Sequence, residues 1–159
     1  MKELLELLEK NSRITTAEIA SILGESEYQV EQDIRRLEKD KIILSYPTII
    51  NWEKFGNETV TAMITINLTP QREVGFDAIA ERIYRFDEVK TVYLMSGSFD
   101  LLVLIEGKSL KEIANFVATR LSTIAGVTQT RSHFMLKAYK RDGVIMDDEE
   151  QDRRLVVSP

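Results

Sequence analysis

Cysteine is absent from all 159 residues, which excludes disulfides and thiolate chemistry. Histidine occurs once, at His133. Without cysteine, a zinc site would have to be built from carboxylates, and no suitable spacing occurs. There is no glycine-rich phosphate loop and no Ser/His/Asp constellation, so no cofactor and no catalytic residue are expected. No apolar run approaches the ~18 residues of a membrane span. Met1-Lys2-Glu3-Leu4 opens no secretory h-region, and a reducing cytoplasm fits these absences. A basic surplus is also missing. Lys and Arg number 21 against 26 Asp and Glu, a net charge of -5. That counts against nucleic acid, whose phosphates select cationic surfaces.

The distribution of charge matters more than its sum. Residues 1–50 carry 7 basic and 10 acidic side chains, residues 51–140 carry 11 and 10, and residues 141–159 carry 3 and 6. Any DNA-binding surface must therefore come from where the charges point.

Leucines at 4, 5, 7 and 8 recur at helical spacing over residues 2–10. A second helix opens after Thr15, with Glu18 three residues on in the capping-box pattern and Ile19, Ile22 and Leu23 as its apolar face. Gly24 supplies the break. Ser26 caps a third helix, with Gln29 at the matching position, running to about Asp40 through Val30, Ile34 and Leu37. Residues 42–50 are rich in β-branched side chains around Pro47 and predict strand, turn, strand. Residues 51–57 read as a connection. Residues 59–68 then alternate strictly, with Val60, Ala62, Ile64, Ile66 and Leu68 on one face and Thr59, Thr61, Met63, Thr65 and Asn67 on the other. A helical pattern from Phe76 to Tyr84, strands over 89–95 and 99–105, a second helical pattern from Leu110 to Ile124 and an extended stretch over 127–140 complete a β-α-β-β-α-β order.

The fold class expected is therefore α+β. A winged helix-turn-helix occupies residues 1–50, a linker 51–58 and a ferredoxin-like domain 59–140, with an acidic tail at 141–159 that lacks pattern. Two crossover helices cover only one face of such a sheet. The other face, carrying Thr and Met, is a surface for pairing with a second copy.

The third helix has the chemistry of a DNA reader once its residues are placed on a wheel of about 100° per residue. With Val30 toward the core, Tyr28, Gln32, Arg35 and Lys39 fall within about 40° of the opposite direction and Arg36 about 60° from it. Glu27, Glu31, Asp33 and Glu38 fall on the flanks. Gln reads adenine bidentately, Arg reads guanine or meets phosphate, and Tyr28 reaches phosphate or a thymine methyl. The DNA-contacting set expected is Ser26, Tyr28, Gln29, Gln32, Arg35, Arg36 and Lys39. The flanking acids predict weak binding by one copy, which a dimer reading two half-sites offsets.

Three segments resemble the leucine-responsive/asparagine-synthetase (Lrp/AsnC) family of transcription regulators over about residues 1–140. They are Arg13-Ile14-Thr15-Thr16-Ala17-Glu18-Ile19-Ala20 with Leu23-Gly24; Ile34-Arg35-Arg36-Leu37-Glu38-Lys39-Asp40-Lys41-Ile42-Ile43; and Ser96-Gly97-Ser98-Phe99-Asp100-Leu101-Leu102 with Gly126-Val127-Thr128-Gln129-Thr130-Arg131-Ser132. The resemblance implies a sensor domain that pairs into dimers, often assembled into octamers, with an amino acid or related small molecule bound between dimers near a Gly-x-x-Asp turn. It assigns effector binding to Gly97, Ser98, Phe99 and Asp100, and beyond them to Thr128, Thr130 and Ser132. Backbone N–H groups of the Gly97 turn suit a carboxylate, and Asp100 suits an α-ammonium. Gly97 as a plain hairpin glycine and Asp100 as its cap is the competing reading. A sensor or assembly subunit without DNA binding is one alternative function. A sirohaem-decarboxylase-like enzyme using His133 and Arg131 is another.

Overall fold

The structure, a computed structural model, describes residues 1–57, 59–69 and 75–146. The chain divides into two compact units, the first spanning Met1–Ile50 and the second beginning at Asn51.

The first unit holds three helices, α1 (Lys2–Lys10), α2 (Thr16–Leu23) and α3 (Glu27–Lys39). Their apolar stripes meet in a core of Leu4, Leu8, Ile19, Ala20, Val30 and Leu37. The capping box forms as its spacing requires. The Glu18 N–H donates to Thr15 Oγ1 at 3.2 Å, and the Thr15 N–H donates to Glu18 Oε2 at 2.8 Å. The Thr15 N–H and, after it, the Thr15 hydroxyl, which donates to the same Glu18 Oε2 at 2.8 Å, hold the Glu18 carboxyl below its ordinary value. Gly24 ends α2 in the left-handed region (φ 67), and Ser26 Oγ accepts from the Gln29 N–H at 3.2 Å to start α3. Across that turn Thr16 Oγ1 donates to Glu27 Oε1 at 2.6 Å, tying the start of α2 to the start of α3. Ile22, expected on the apolar face of α2, is 60% exposed.

The wing is a correction. Residues 42–50 contain no strand. After α3, Lys41 takes a left-handed φ of 59, and the Ile42 N–H reaches back to the Leu37 carbonyl at 2.9 Å. Tyr46 then donates its hydroxyl to Glu38 Oε1 at 2.8 Å, which holds the chain beside α3 and not folded on itself. Partial burial, followed by the Glu38 carboxylate, pushes the Tyr46 phenol up to about 12. Pro47 has no N–H for a ladder, and a lone two-stranded hairpin is marginal in any case.

The second unit opens with a helical turn, α4 (Trp52–Phe55), where a plain linker was expected; Asn51 Oδ1 accepts from the Lys54 N–H at 3.0 Å as its cap. The sheet comprises β1 (Val60–Leu68), β2 (Val89–Leu94), β3 (Leu101–Gly107) and β4 (Val127–Phe134) in the order β2-β3-β1-β4, antiparallel throughout. Helices α5 (Phe76–Tyr84) and α6 (Leu110–Phe116) complete the ferredoxin-like β-α-β-β-α-β order. A single π turn over Val117–Leu121 continues α6.

The alternation of β1 fixes its register. Ala62, Ile64, Ile66 and Leu68 are buried with Leu101, Val103 and Ile105 of β3 against Ile79, Ile83, Ile113, Phe116, Val117 and Leu121 of the helical layer. Gly126 makes the close approach that starts β4, at φ 96. The tail expected over 141–159 is corrected at its start. A hairpin of β5 (Lys140–Arg141) and β6 (Val144–Ile145) forms there, and the Met146 carbonyl accepts from Asn51 Nδ2 at 3.1 Å. The acidic run 147–150 lies outside the described residues.

Candidate nucleic-acid and effector surfaces

The outward side of α3 keeps all but one of the residues that its wheel placed there open to solvent. Tyr28 is 71% exposed, and Gln29, Arg35, Arg36 and Lys39 are exposed while Gln32 is half-buried. Ser26 is spent as the helix cap. The acids are less remote than the wheel implied. Glu31 Oε1 accepts from Arg35 Nη2 at 2.6 Å, one helical turn away. Asp33, only 14% exposed in its side chain, lies 3.3 Å from Arg36 Nη2 and accepts from Gln29 Nε2 at 3.2 Å. Gln29 therefore does not return a bond to Ser26 as a full capping box would. Helical spacing of i to i+4 is the sequence signal for the Glu31–Arg35 pair, and the outward or flanking assignment of each residue concealed it.

A second group gathers at one end of the sheet. Asp100 closes the β2–β3 turn, with its carbonyl accepting from the Met95 N–H at 2.8 Å and its N–H donating to the Ile66 carbonyl at 2.9 Å. Its Oδ2 accepts from the Leu68 N–H at 2.7 Å. That amide sits where the β1–β4 register slips between Asn67 and Leu68. The aspartate thus caps β1 just past the end of its ladder with β3, whose last pair is Ile66 with Leu101, and Oδ1 is left for another donor. Asn67 links this turn to β4: its Nδ2 donates to the Ser98 carbonyl at 3.0 Å, and its carbonyl accepts from Thr128 Oγ1 at 3.0 Å.

Gly97, Ser98, Phe99, Asp100 and Thr128 therefore share one end of the sheet. Thr130 and Ser132 run away from it along β4, opposite Ile66 and Ile64, and Thr130 Oγ1 lies 3.2 Å from Ser122 Oγ. Asn67 was missed as a site residue. Its only sequence signal is an amide at the end of an otherwise aliphatic and threonine-rich strand, a residue type that strands disfavour.

The sheet face away from the helices is the third feature. Met63 and Thr65 of β1, Leu102 and Leu104 of β3, Tyr93 of β2, and Arg131 and His133 of β4 lie on it, by the register that puts their neighbours in the core. Met63 and Tyr93 are exposed, and Leu102 and Leu104 half-buried. His133 and Arg131 thus share an open surface and line no core. Among the described residues there is no group of His, Asp and Glu that could hold a metal, and no helix long and apolar enough to cross a membrane.

Comparison with known proteins adds four likenesses. Residues 61–145 match the family described as the Lrp/AsnC ligand binding domain. An uncharacterized HTH-type transcriptional regulator, YugG of Bacillus subtilis, is 49% identical over 158 residues, covering 99% of this chain and 95% of that protein. The HTH-type transcriptional regulator LrpA of Pyrococcus abyssi is 31% identical over 139 residues, covering 87% of this chain and 96% of that one. Among solved structures, a feast or famine regulatory protein of Mycobacterium tuberculosis complexed with L-methionine superposes with a TM-score of 0.72 at 26% identity, over 91% of this chain and 95% of that one.

Proposed function

The chain belongs to the Lrp/AsnC family of transcription regulators, and from that premise we propose that it is a cytoplasmic homo-oligomer, not an enzyme, whose α3 reads double-stranded DNA and whose sheet end senses an amino acid. The observation that carries the DNA reading is the exposed Tyr28, Arg35, Arg36 and Lys39 face of α3, mounted on a three-helix core and supported by two side-chain helix caps. Ser26 and Gln29 set the start of that helix, and Gln32 lies between Tyr28 and Arg35 on its surface. An open sheet face with Met63, Leu102, Leu104 and Tyr93 supports pairing with a second copy, because an apolar patch on an antiparallel sheet is stabilised by being covered. Such a dimer brings two α3 helices to two half-sites; dimers associate further, up to octamers, in this reading.

The effector reading rests on the Gly97–Asp100 turn beside Thr128. Asp100 Oδ1 and the turn N–H groups offer one acceptor and several donors, the complement of an α-ammonium and an α-carboxylate. Thr130 and Ser132 contribute hydroxyls further along β4. The relative solved with L-methionine is of the same family, which favours an amino acid as the ligand class.

The test is a mobility-shift titration on the gene's own upstream DNA across a salt series. Binding that weakens as salt rises is expected, because neutralised phosphates release counterions. Binding of no promoter fragment, or binding indifferent to salt, would overturn the proposal. Arg35→Ala should weaken binding by about 1–3 kcal/mol per half-site while leaving the gel-filtration profile unchanged. A changed profile would make Arg35 structural. A thermal-shift screen with the standard amino acids tests the sensor, since a ligand held only by the folded state raises its melting temperature.

A further inference from the structure

The candidate readers on α3 are held in two different ways. Gln29 and Arg36 both turn to Asp33, whose side chain is mostly buried on the flank of the helix. Arg35 is held by Glu31, whose side chain is 48% exposed, and Arg35 itself is 65% exposed. The pair is therefore open to solvent, with Arg35 on the outward side of the helix and Glu31 on the flank next to it. A guanidinium carries five N–H donors in one plane. The bond to Glu31 Oε1 uses Nη2 at 2.6 Å, which leaves the rest of the fork available. A guanine presents O6 and N7 side by side and needs two such donors.

We infer that Glu31 is a specificity-determining positioning residue: it orients the Arg35 guanidinium for a guanine edge and, by neutralising it, removes its attraction to phosphate alone. This rests on the reading of α3 as the DNA-contacting helix.

The magnitudes favour both halves. Ordering a free arginine on binding costs a factor of about 2–12, and a side chain already held by a neighbour loses less. An exposed pair one turn apart is worth only about a factor of two in a free helix, so it orients Arg35 without locking it. On non-specific DNA the gain from one freed guanidinium follows the counterion slope of about 0.9 per phosphate contact, which is about fivefold near 0.15 M salt against 1 M. Glu31 withholds that gain. It therefore strengthens the contact that carries sequence information and suppresses the one that does not.

The experiment uses the full chain, a duplex selected by it from a randomised pool, and a shuffled duplex of the same composition. Affinities are read by fluorescence anisotropy over a salt series for the unaltered protein, Glu31→Ala, Glu31→Gln, Arg35→Ala and the Glu31→Ala/Arg35→Ala double variant. All of these positions are exposed, and melting curves confirm that each variant folds. Glu31→Ala should lose about threefold on the selected duplex, within the cost of ordering one side chain. It should gain up to about fivefold on the shuffled one, with a salt slope steeper there by about 0.9. The preference then falls by up to about fifteenfold, the product of those two changes. Glu31→Gln keeps the acceptor oxygen and should restore affinity for the selected duplex but not rejection of the shuffled one. In the Arg35→Ala background, Glu31→Ala should leave the preference where Arg35→Ala put it, because an effect exerted through Arg35 vanishes with it.

An unchanged preference in Glu31→Ala would overturn the inference. So would an equal fall in the Arg35→Ala background, since Glu31 would then act as bulk charge. Failure of the underlying reading looks different: the unaltered protein would select no duplex, or would bind without salt dependence.

Discussion

Replacing Gly126 with alanine tests how the second unit is closed. Gly126 sits at φ 96, and a Cβ there would lie 2.8 Å from Ile79 Cδ1, inside any normal contact distance. Ile79 is a core side chain at 1% exposure, so it has little room to retreat. Two costs add. Holding an L residue at that φ costs about 1–2 kcal/mol. Pushing a packed isoleucine off its rotamer costs about 1–3 kcal/mol more. The expected loss is about 2–5 kcal/mol, or roughly 8–30 °C in the melting temperature of a unit of this size.

The chain's single tryptophan, Trp52, lies in the second unit, so its fluorescence follows that unit's unfolding separately. Gly24→Ala is the control. Gly24 has φ 67 with nothing within 4 Å of an added Cβ, so it should lose only about 1 kcal/mol, and from the first unit. The decisive variant is Gly126→Ala combined with Ile79→Val, which deletes the Cδ1 that clashes. Ile79→Val alone costs about 0.5–1.5 kcal/mol. If the contact is the cause, the double variant should be more stable than the sum of the two single losses by about 1 kcal/mol or more. Additivity within about 0.5 kcal/mol would refute the packing argument.

Two further outcomes follow from the geometry. Asp100→Ala strips the Leu68 N–H of its acceptor and should cost about 1–3 kcal/mol, whereas Asp100→Asn keeps a carbonyl there and should cost less than about 1; both should abolish the amino-acid-induced thermal shift. An Asp100→Asn protein with the full shift would remove Asp100 from the effector site. Glu18 has a lowered folded pKa, so its contribution is complete above the ordinary value of 4.5 and is lost as the pH falls through the lowered one. The stability gap between the unaltered protein and Glu18→Gln, followed by circular dichroism melts, should therefore be present at neutral pH and close in acid. A gap that persists in acid would mean that the capping charge contributes nothing.

Much of this protein is legible in its sequence because the signals are local. Thr15 with Glu18 and Ser26 with Gln29 mark helix starts within four residues, and a helix N-terminus is satisfied within its own first turn. The strict alternation of β1 selects its buried face, because a strand's period of two leaves no other register that hides Ala62, Ile64, Ile66 and Leu68 together. The order of elements then restricts the topology, and a ferredoxin-like sheet follows.

What tertiary structure decided depends on partners distant in the chain. Residues 42–50 have strand composition, yet no ladder forms, because pairing needs a second strand and Tyr46 is held by Glu38 instead. The β5–β6 hairpin forms at the start of the tail read as patternless, and the Met146 carbonyl just beyond it is bonded across the fold by Asn51. Asn67 joins the Gly97–Asp100 turn to β4 because the fold brings residues 67, 98 and 128 together. On α3 the sequence determined which residues face outward, since a helix wheel needs only the helix itself. The side chains' final directions were decided by the carboxylates within reach of each, and these draw Gln29 and Arg36 to the flank while leaving Arg35 outward beside Glu31.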